Sequence, residues 1–228
     1  MSETEATAYS YKPFPGSSHY WALQEALALP PGPLKVLDVG AASGHVSNAI
    51  RESRPAHVSV TAVEPANPAP ANWPQDDPWL DSVDAVSDSG FDLALALDVL
   101  EHVADPSSLL AQIQERCRPG ATLLLSVPNV AHWSVRAQIA VGRFEYADRG
   151  ILDRTHLRFF TRRSFRRLVE ESGLSIGSLT ESIAPLELLV PRTVSAALPW
   201  KLLGGGRRLA ASVLPGLLGF QLLVRART

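Results

Sequence analysis

The sequence predicts an α/β protein with a doubly wound, mostly parallel sheet. Short apolar runs rich in β-branched residues alternate with stretches of helical pattern, and turn residues separate the two. Parallel strands need crossovers of this kind, and such sheets bind ligands at the carboxyl ends of their strands. The chain has 228 residues, 46% of them hydrophobic, which is enough for one sizeable core. We expect an N-terminal segment and helix over 1–33, followed by a single domain over 34–228.

The first half of the chain contains the clearest elements. Strands are predicted at 34–39, 57–64 and 91–99, with a weaker one near 83–86. Helices are predicted from Ser17 to Leu29, from Gly44 to about Ser53, and from the N-cap Asp105 through Pro106 to about Cys117. The stretch 65–78 is rich in Pro, Asn and Ala, which predicts a loop in place of a helix.

The second half has a looser pattern. Its predicted elements are a buried strand after the Arg-Pro-Gly turn at 118–120, a helix within 129–142, a helix from the cap Thr161 to about Ser172, and two last strands at 174–183 and 219–228. An apolar insert, 185–219, lies between the last two strands and is broken by Gly and Pro. Four interpretations of it stay open: a lid over an apolar substrate, a dimer patch, an element at a membrane surface, or packing against the sheet.

Formal charge is divided unevenly along the chain. Residues 1–105 carry 4 Lys and Arg against 15 Asp and Glu, a charge of −11, whereas residues 106–228 carry 17 against 8, a charge of +9. The net charge of −2 disfavours nucleic acid as a partner. One face of the helix predicted after Thr161 carries four arginines: Arg162, Arg163, Arg166 and Arg167. Such a face indicates either a solvated surface or contact with an anionic acceptor.

Cysteine content and hydropathy indicate the compartment. Cys117 is the only cysteine, which excludes an intrachain disulfide and a cysteine-based zinc site. The first 16 residues are acidic and polar, without the basic start and apolar segment of a secretory signal. No late uncharged run reaches the ~20 apolar residues of a membrane-spanning helix. We expect a cytoplasmic protein, and the insert leaves peripheral contact with a membrane surface open.

The stretch VLDVGAASGHVS, residues 36–47, joins the first predicted strand to a helix through a glycine turn. His45 follows Gly44, so the Gly-Lys-Ser/Thr of a triphosphate-binding loop is absent. The row GAASGHV also lacks the later glycines of a dinucleotide fingerprint, which disfavours a nicotinamide dehydrogenase. Asp38 would repel a phosphate and attract an ammonium group. Glu64, twenty residues after Gly44, lies where an acid binds ribose hydroxyls. The combination fits an adenosine that carries an amino acid.

These residues, together with FDLALALDVLEHV, the turn before TLLLSVPN, and RGILDRTHLRFFT, resemble the class I S-adenosylmethionine-dependent methyltransferases. The resemblance covers most of the chain and is closest to the ubiquinone-biosynthesis-like and glycan-associated small-molecule methyltransferases. It implies S-adenosylmethionine as the cofactor and a seven-stranded Rossmann-like sheet whose last strand is antiparallel. The cofactor-binding residues that it implies are Asp38, Gly40, Ala42 in place of the central glycine, Gly44, Glu64 and Asp98, with Asp81 or Asp84 for the adenine amine.

The sequence DVLEHV offers a second group of polar side chains, after the fourth predicted strand. Asp98, Glu101 and His102 have the spacing i, i+3, i+4, which puts them on one side of a helical turn. One interpretation is that the dipole at a helix start stabilises the two acids. The other is that the acids and His102 form a divalent-metal site that orients a diol. DVLEH resembles the acid-x-x-Glu-His motif of metal-dependent enzymes in the ubiquinone-related branch.

Methyl transfer to a hydroxyl requires alignment and a base, and histidines are the candidates. His102 and His156 are the predicted catalytic residues, and His132 is a further candidate base. An equally open interpretation of His156 is a structural histidine bonded to Asp153.

The expected reaction is O-methylation of a small-molecule or glycan- or lipid-linked acceptor, either anionic or apolar. N-methylation and C-methylation stay open. The alternative is a non-catalytic S-adenosylmethionine-binding regulatory or assembly protein. Such a protein would keep Asp38, Gly40 and Glu64 and would need neither His156 nor the cluster at 98–102.

Overall fold

The computed structural model describes residues 11–182 and 214–228. Its strands are β1 (Leu34–Val39), β2 (Val58–Val63), β3 (Trp79–Leu80), β4 (Phe91–Leu97), β5 (Cys117–Pro128), β6 (Ser175–Glu181) and β7 (Gln221–Arg227). They form one sheet in the order β3-β2-β1-β4-β5-β7-β6. β1 to β5 pair in parallel, and β7 is antiparallel to both β5 and β6. The predicted doubly wound, mostly parallel sheet of seven strands is confirmed.

The helices are α1 (Ser18–Leu27), α2 (His45–Ser53), α3 (Pro106–Arg116), α4 (Trp133–Ala140), α5 (Arg162–Glu171) and the short α6 (Pro215–Leu218). Three of them, α1, α3 and α5, begin at the caps that the sequence predicts. The side chains of Ser17, Asp105 and Thr161 each accept a hydrogen bond from a backbone N–H in the first turn of α1, α3 and α5. These bonds satisfy donors that have no partner within the helix, so each cap fixes where its helix starts.

Hydrophobic packing covers both faces of the sheet. On one face, Leu110 and Ile113 of α3 and Phe165 of α5 are fully buried against the strands. On the other face, Ala22 of α1 and Ile50 of α2 are fully buried. This two-sided burial explains why the central strands are apolar along nearly their whole length.

The winding of the sheet reverses between β1 and β4. From β1 the chain moves outward through β2 to β3, and it then returns to pair β4 with the opposite edge of β1. The reversal opens a crevice beyond the carboxyl ends of these strands, which is the usual ligand position in doubly wound folds.

One predicted element is wrong, and most of another lies outside the described residues. The weak strand near 83–86 is wrong, since Val83–Ala85 is a 3₁₀ turn capped by Ser82 and the third strand is Trp79–Leu80. Val83 and Val86 are both buried, as the two ends of such a turn can be. The loop over 65–78 is confirmed. Of the insert 185–219, residues 185–213 lie outside the described residues. No helix of the described ranges is long and apolar enough to cross a membrane.

Arg54 connects α1 to the rest of the fold. Its side chain donates to the carbonyl oxygens of Ala26 (2.7 Å), Pro30 (2.8 Å) and Gly32 (3.2 Å), at and beyond the end of α1. The residue is 8% exposed. A buried cation at the carboxyl end of a helix satisfies carbonyl groups that would otherwise lack donors. Arg54 therefore holds α1 and the following proline turn against α2.

We expect the substitution Arg54→Met to lower the free energy of unfolding by about 2 kcal/mol, because three carbonyl groups lose their donor. Urea denaturation measures the change. Arg167→Met is the matched control, since that arginine side chain is 75% exposed and pairs with Glu171 on the surface of α5. Its effect should stay within about 0.5 kcal/mol. Equal effects of the two substitutions would contradict the role of Arg54.

Candidate cofactor and acceptor site

Three carboxylates meet at the crevice. Asp38 lies near the end of β1, Glu64 directly follows β2, and Asp98 directly follows β4. Asp38 and Glu64 are 4% and 7% exposed. Parallel strands bring their carboxyl ends to the same edge of a sheet, so the acids predicted as cofactor-binding residues lie at one edge.

The glycine turn has the backbone that only glycine adopts easily. Gly40 and Gly44 have φ of +75° and +66°. A Cβ at Gly40 would lie 2.3 Å from Cγ2 of Val99, and one at Gly44 would lie 2.3 Å from the ring of Trp73. Ala42, the residue in place of the central glycine, also has positive φ, +51°. Its N–H donates to Glu64 Oε2 at 2.7 Å, which holds this strained residue in position.

Asp38 is a buried acid with one side-chain donor. The hydroxyl of Ser47 donates to Asp38 Oδ2 at 2.6 Å. Burial raises the pKa of Asp38 to about 6, against the lowering effect of Ser47 and with a smaller raising effect from the charge of Glu64. A cationic ligand next to this carboxylate would favour its ionised form.

Glu64 is fixed from both sides. Its Oε2 accepts from Ala42, and its Oε1 accepts from the N–H of Ala66 (2.9 Å) and from Asn67 Nδ2 (3.3 Å). The carboxylate therefore ties the glycine turn to the start of the loop after β2. Its position at the strand end matches the predicted role of binding ribose hydroxyls.

Asp98 does not join the metal group predicted from the sequence. It has φ of +56°, so it lies outside the 3₁₀ turn Leu100–His102, and the helical spacing assumed for 98–102 does not apply. Its carboxylate accepts from Ser126 Oγ (2.8 Å) and Gln221 Nε2 (2.5 Å). The prediction of Asp98 as a metal ligand beside Glu101 and His102 is corrected by this geometry.

His156 takes the place of Asp98 in that group. One side-chain ligand atom from each of Glu101, His102 and His156 lies within 4.8 Å of the others. Glu101 is 1% exposed, and neither of its carboxylate oxygens has a hydrogen-bond partner within residues 11–182 and 214–228. Burial, followed by the charge of Asp98, raises the pKa of Glu101 well above its ordinary value. The loop carrying His156 is attached here, because the N–H groups of Leu157 and Arg158 donate to the Glu101 carbonyl at 2.8 and 3.0 Å.

The two histidine rings of this group are oriented by carbonyl oxygens. His156 Nδ1 lies 3.0 Å from the carbonyl oxygen of Ile151, and His102 Nδ1 lies 3.3 Å from that of Thr155. A carbonyl accepts only, so each Nδ1 bears the hydrogen and each Nε2 is left with its lone pair. Burial lowers the pKa of His156. The predicted structural bond from His156 to Asp153 is absent, since Asp153 accepts from Thr155 instead.

His132, the further candidate base, has a different role. Its Nδ1 lies 2.8 Å from Ser134 Oγ at the start of α4, and its ring packs edge-on against Phe220 at 5.6 Å. The residue is 5% exposed. We interpret it as a capping and packing residue.

An exposed aromatic face adjoins His156. The Phe159 ring lies 6.2 Å from that of His156, 5.8 Å from that of Phe144 and 6.1 Å from that of Tyr146. Phe144 and Tyr146 are 45% and 51% exposed. Aromatic side chains this open to water usually mark a contact surface. We call Phe144, Tyr146 and Phe159 the aromatic face.

The arginines of α5 form a largely solvated surface. Arg162 pairs with Glu181, and Arg166 and Arg167 pair with acids one turn later on α5. Arg163 of the same helix is exposed, and the anionic acceptor stays a prediction. Asp81 and Asp84, the two acids predicted to bind the adenine amine, are both exposed, and Asp84 accepts a hydrogen bond from Gln112 of α3 at 3.0 Å. Their role stays a prediction.

Two residues beside the turn, His19 and Trp73, were not predicted from the sequence. Tyr11 stacks on His19 at 5.9 Å, and the Tyr11 ring lies 6.1 Å from that of His45. Trp73, from the loop after β2, packs against Gly44. A tryptophan within a loop rich in Pro, Asn and Ala could have indicated Trp73, whereas no local pattern distinguished His19.

Comparison with known proteins agrees with this geometry. A family described as a methyltransferase domain matches residues 21–179, which is more than half of the chain. A search of curated proteins finds no match. Among solved structures, an S-adenosylmethionine-dependent methyltransferase from Mesorhizobium loti superposes with a TM-score of 0.59 at 17% identity, over 93% of this chain and 99% of that chain.

Two further solved structures contain the cofactor or its product. The 1,6-didemethyltoxoflavin-N1-methyltransferase of Burkholderia thailandensis, with S-adenosylhomocysteine, has a TM-score of 0.57 at 19% identity, over 94% of this chain and 79% of that chain. Phosphoethanolamine N-methyltransferase 2 of Haemonchus contortus, with S-adenosyl-L-methionine, has a TM-score of 0.63 at 12% identity, over 100% of this chain and 57% of that chain. At these identities the likeness shows the fold. With the family match, it follows that the chain belongs to the methyltransferase-domain family and is a class I S-adenosylmethionine-dependent methyltransferase.

Proposed function

We propose that this enzyme O-methylates a small acceptor with neighbouring hydroxyl groups, held by a divalent metal ion at Glu101, His102 and His156. The observation that supports this proposal is the buried, unpartnered Glu101 carboxylate beside two imidazoles. Buried carboxylates are normally hydrogen-bonded or paired, so one without a partner favours a missing ligand.

The donor set fits a divalent ion. It consists of one carboxylate and two imidazoles, and both imidazoles hold Nδ1 near a backbone carbonyl, which leaves Nε2 as the candidate ligand atom of each. Metal-bound histidines commonly have this second interaction, which fixes the ring and its tautomer. A bound divalent ion would supply positive charge that orients a hydroxyl group and lowers its pKa. Without an ion, the same Nε2 atoms of His102 and His156 are the candidate bases.

The aromatic face supports an apolar, planar acceptor. Phe144 and Tyr146 are exposed and contact Phe159, whose ring adjoins that of His156, and aromatic rings gain most from stacking or edge contacts with another ring. Three of the four arginines of α5, in contrast, are paired with acids: Arg162, Arg166 and Arg167. We therefore favour an aromatic diol over an anionic acceptor.

Zinc should bind the wild-type protein at one site in a calorimetric titration. We expect Glu101→Gln and His156→Ala to weaken that binding about tenfold or more, since each removes a ligand. Glutamine resembles the protonated form of the buried acid, so the fold should survive. His57→Ala, an exposed histidine before β2, is the control and should bind zinc as the wild type does.

Activity gives an independent measurement of the same site. With 2,3-dihydroxynaphthalene as the probe acceptor, a chelator should abolish methyl transfer, and added Mg²⁺ or Zn²⁺ should restore it. His156→Ala should bind S-adenosylmethionine normally and transfer methyl groups far more slowly. Full activity in the chelator would refute the metal, and unchanged turnover of the variant would remove His156 from the reaction.

Asp38→Asn should separate stability from cofactor binding. The pKa of Asp38 is raised to about 6 in the folded state, so ionisation destabilises the folded protein as pH rises from about 4 through 6 and above. Asparagine removes this effect, and we expect the cofactor-free variant to gain of order 1–3 kcal/mol at pH 7.5. The gain should vanish near pH 4, whereas S-adenosylmethionine affinity should fall at least about tenfold. Denaturation at both pH values and calorimetry measure these effects; a less stable variant at pH 7.5 would contradict the argument.

Truncation of the aromatic face should affect the acceptor alone. We expect Phe144→Ala and Tyr146→Ala each to raise KM for 2,3-dihydroxynaphthalene about fivefold, from lost aromatic contact. The dissociation constant of S-adenosylmethionine should not change. Val141→Ala is the control, because Val141 is 71% exposed on the same segment and lies outside the aromatic face. An equal rise in KM for the control would show a general effect of the segment.

A further inference from the structure

We propose that His19 binds the carboxylate group of the cofactor's methionine portion, donating a hydrogen bond from Nε2. The proposal rests on the family's use of S-adenosylmethionine. It concerns the end of the cofactor that takes no part in methyl transfer, and so it stands apart from the acceptor and the metal.

The charge of the crevice creates the need for such a donor. Asp38, Glu64 and Asp98 suit the ammonium group, the sulfonium and the ribose hydroxyls of the cofactor. The same acids repel its carboxylate, which must leave water to bind at this edge. An anion in this position requires a hydrogen-bond donor of its own.

His19 lies beside this edge. It belongs to the first turn of α1, and its ring stacks on that of Tyr11 at 5.9 Å. The ring of Tyr11 lies parallel to that of His19, with an interplanar angle of 19°, and also approaches His45, the residue after Gly44. His19 is therefore placed between the start of α1 and the glycine turn.

The tautomer of His19 is set by the backbone. The N–H of Lys12 donates to His19 Nδ1 at 3.2 Å, so the hydrogen of the neutral ring is on Nε2. Burial, followed by the charge of Lys12, lowers the pKa of His19 to about 4, and the ring is neutral at neutral pH. Within 11–182 and 214–228, His19 Nε2 makes no hydrogen bond, and this atom is not fully buried. It is a donor without a hydrogen-bond partner in these ranges, on a half-buried side chain.

The segment before α1 holds this arrangement rigidly. Ser17 Oγ donates to the Lys12 carbonyl at 2.5 Å and accepts from the N–H of Tyr20 at 3.0 Å. The N–H of Ser17 donates to the Phe14 carbonyl at 3.2 Å. The residue that fixes Nδ1 is thus tied to the cap of the helix that carries His19. A donor positioned before binding loses little entropy when the ligand arrives.

Calorimetry with two ligands tests the proposal directly. S-adenosylmethionine and decarboxylated S-adenosylmethionine differ only in the carboxylate group. We expect His19→Ala to weaken binding of the first about tenfold to a hundredfold, the range for a hydrogen bond to a charged group, and to change binding of the second less than about twofold. His19→Gln, which keeps a side-chain N–H, should recover part of the loss. His57→Ala should match the wild type with both ligands.

Each other outcome overturns the proposal in a distinguishable way. Equal weakening of both ligands would mean that His19 supports the turn and does not contact the carboxylate. Unchanged binding of S-adenosylmethionine would mean that His19 makes no contact with it. A wild-type protein that binds neither ligand would remove the cofactor assignment together with this proposal. Circular dichroism spectra of the variants establish that they are folded.

Discussion

The buried carboxylate of Asp38 is the constraint on which the rest of the site depends. An acid that is 4% exposed is unfavourable in its ionised form, and within the described part of the chain Ser47 is the one side chain that donates a hydrogen bond to it. The remaining features of the turn keep this carboxylate close to where a ligand can approach. Gly40 and Gly44 let the backbone pass without side chains, and Glu64 holds Ala42 in a left-handed conformation. A cofactor with an ammonium group completes an arrangement that is electrostatically unsatisfied without it.

The acceptor half of the site depends on the same edge of the sheet through backbone contacts. β4 ends at Leu97, the chain reverses through left-handed Asp98, and the following turn presents Glu101 and His102. The carbonyl of Glu101 then receives the N–H groups of Leu157 and Arg158, which brings His156 beside it. The residues proposed to bind the cofactor and the acceptor thus follow neighbouring strand ends, and direct methyl transfer requires the two ligands to be close together.

Local patterns in the sequence predicted most of the fold and half of the site. Caps such as Asp105 and Thr161 act within one helical turn, so they could be recognised from the local sequence. The apolar runs of β1, β4 and β5 could also be recognised locally, because burial on both faces makes nearly every position apolar. β3 could not, because Trp79–Leu80 is a strand only through pairing with β2. The group at Glu101 could not be predicted in full either, because His156 reaches it only through the reversal at Asp98. His19 depends on a contact with the backbone of Lys12 that has no sequence pattern.

The hydrogen bond from Gln221 to Asp98 joins residues 123 positions apart in the chain. Gln221 begins β7, which inserts between β5 and β6 although it is synthesised after both. Before β7 joins the sheet, β6 therefore has no strand beside it, and the carboxylate of Asp98 lacks the hydrogen bond from Gln221. A nascent chain that stops before β7 holds the glycine turn but an incomplete crevice. Completion of the crevice consequently requires β7 to enter the sheet between two strands that both precede it in the chain.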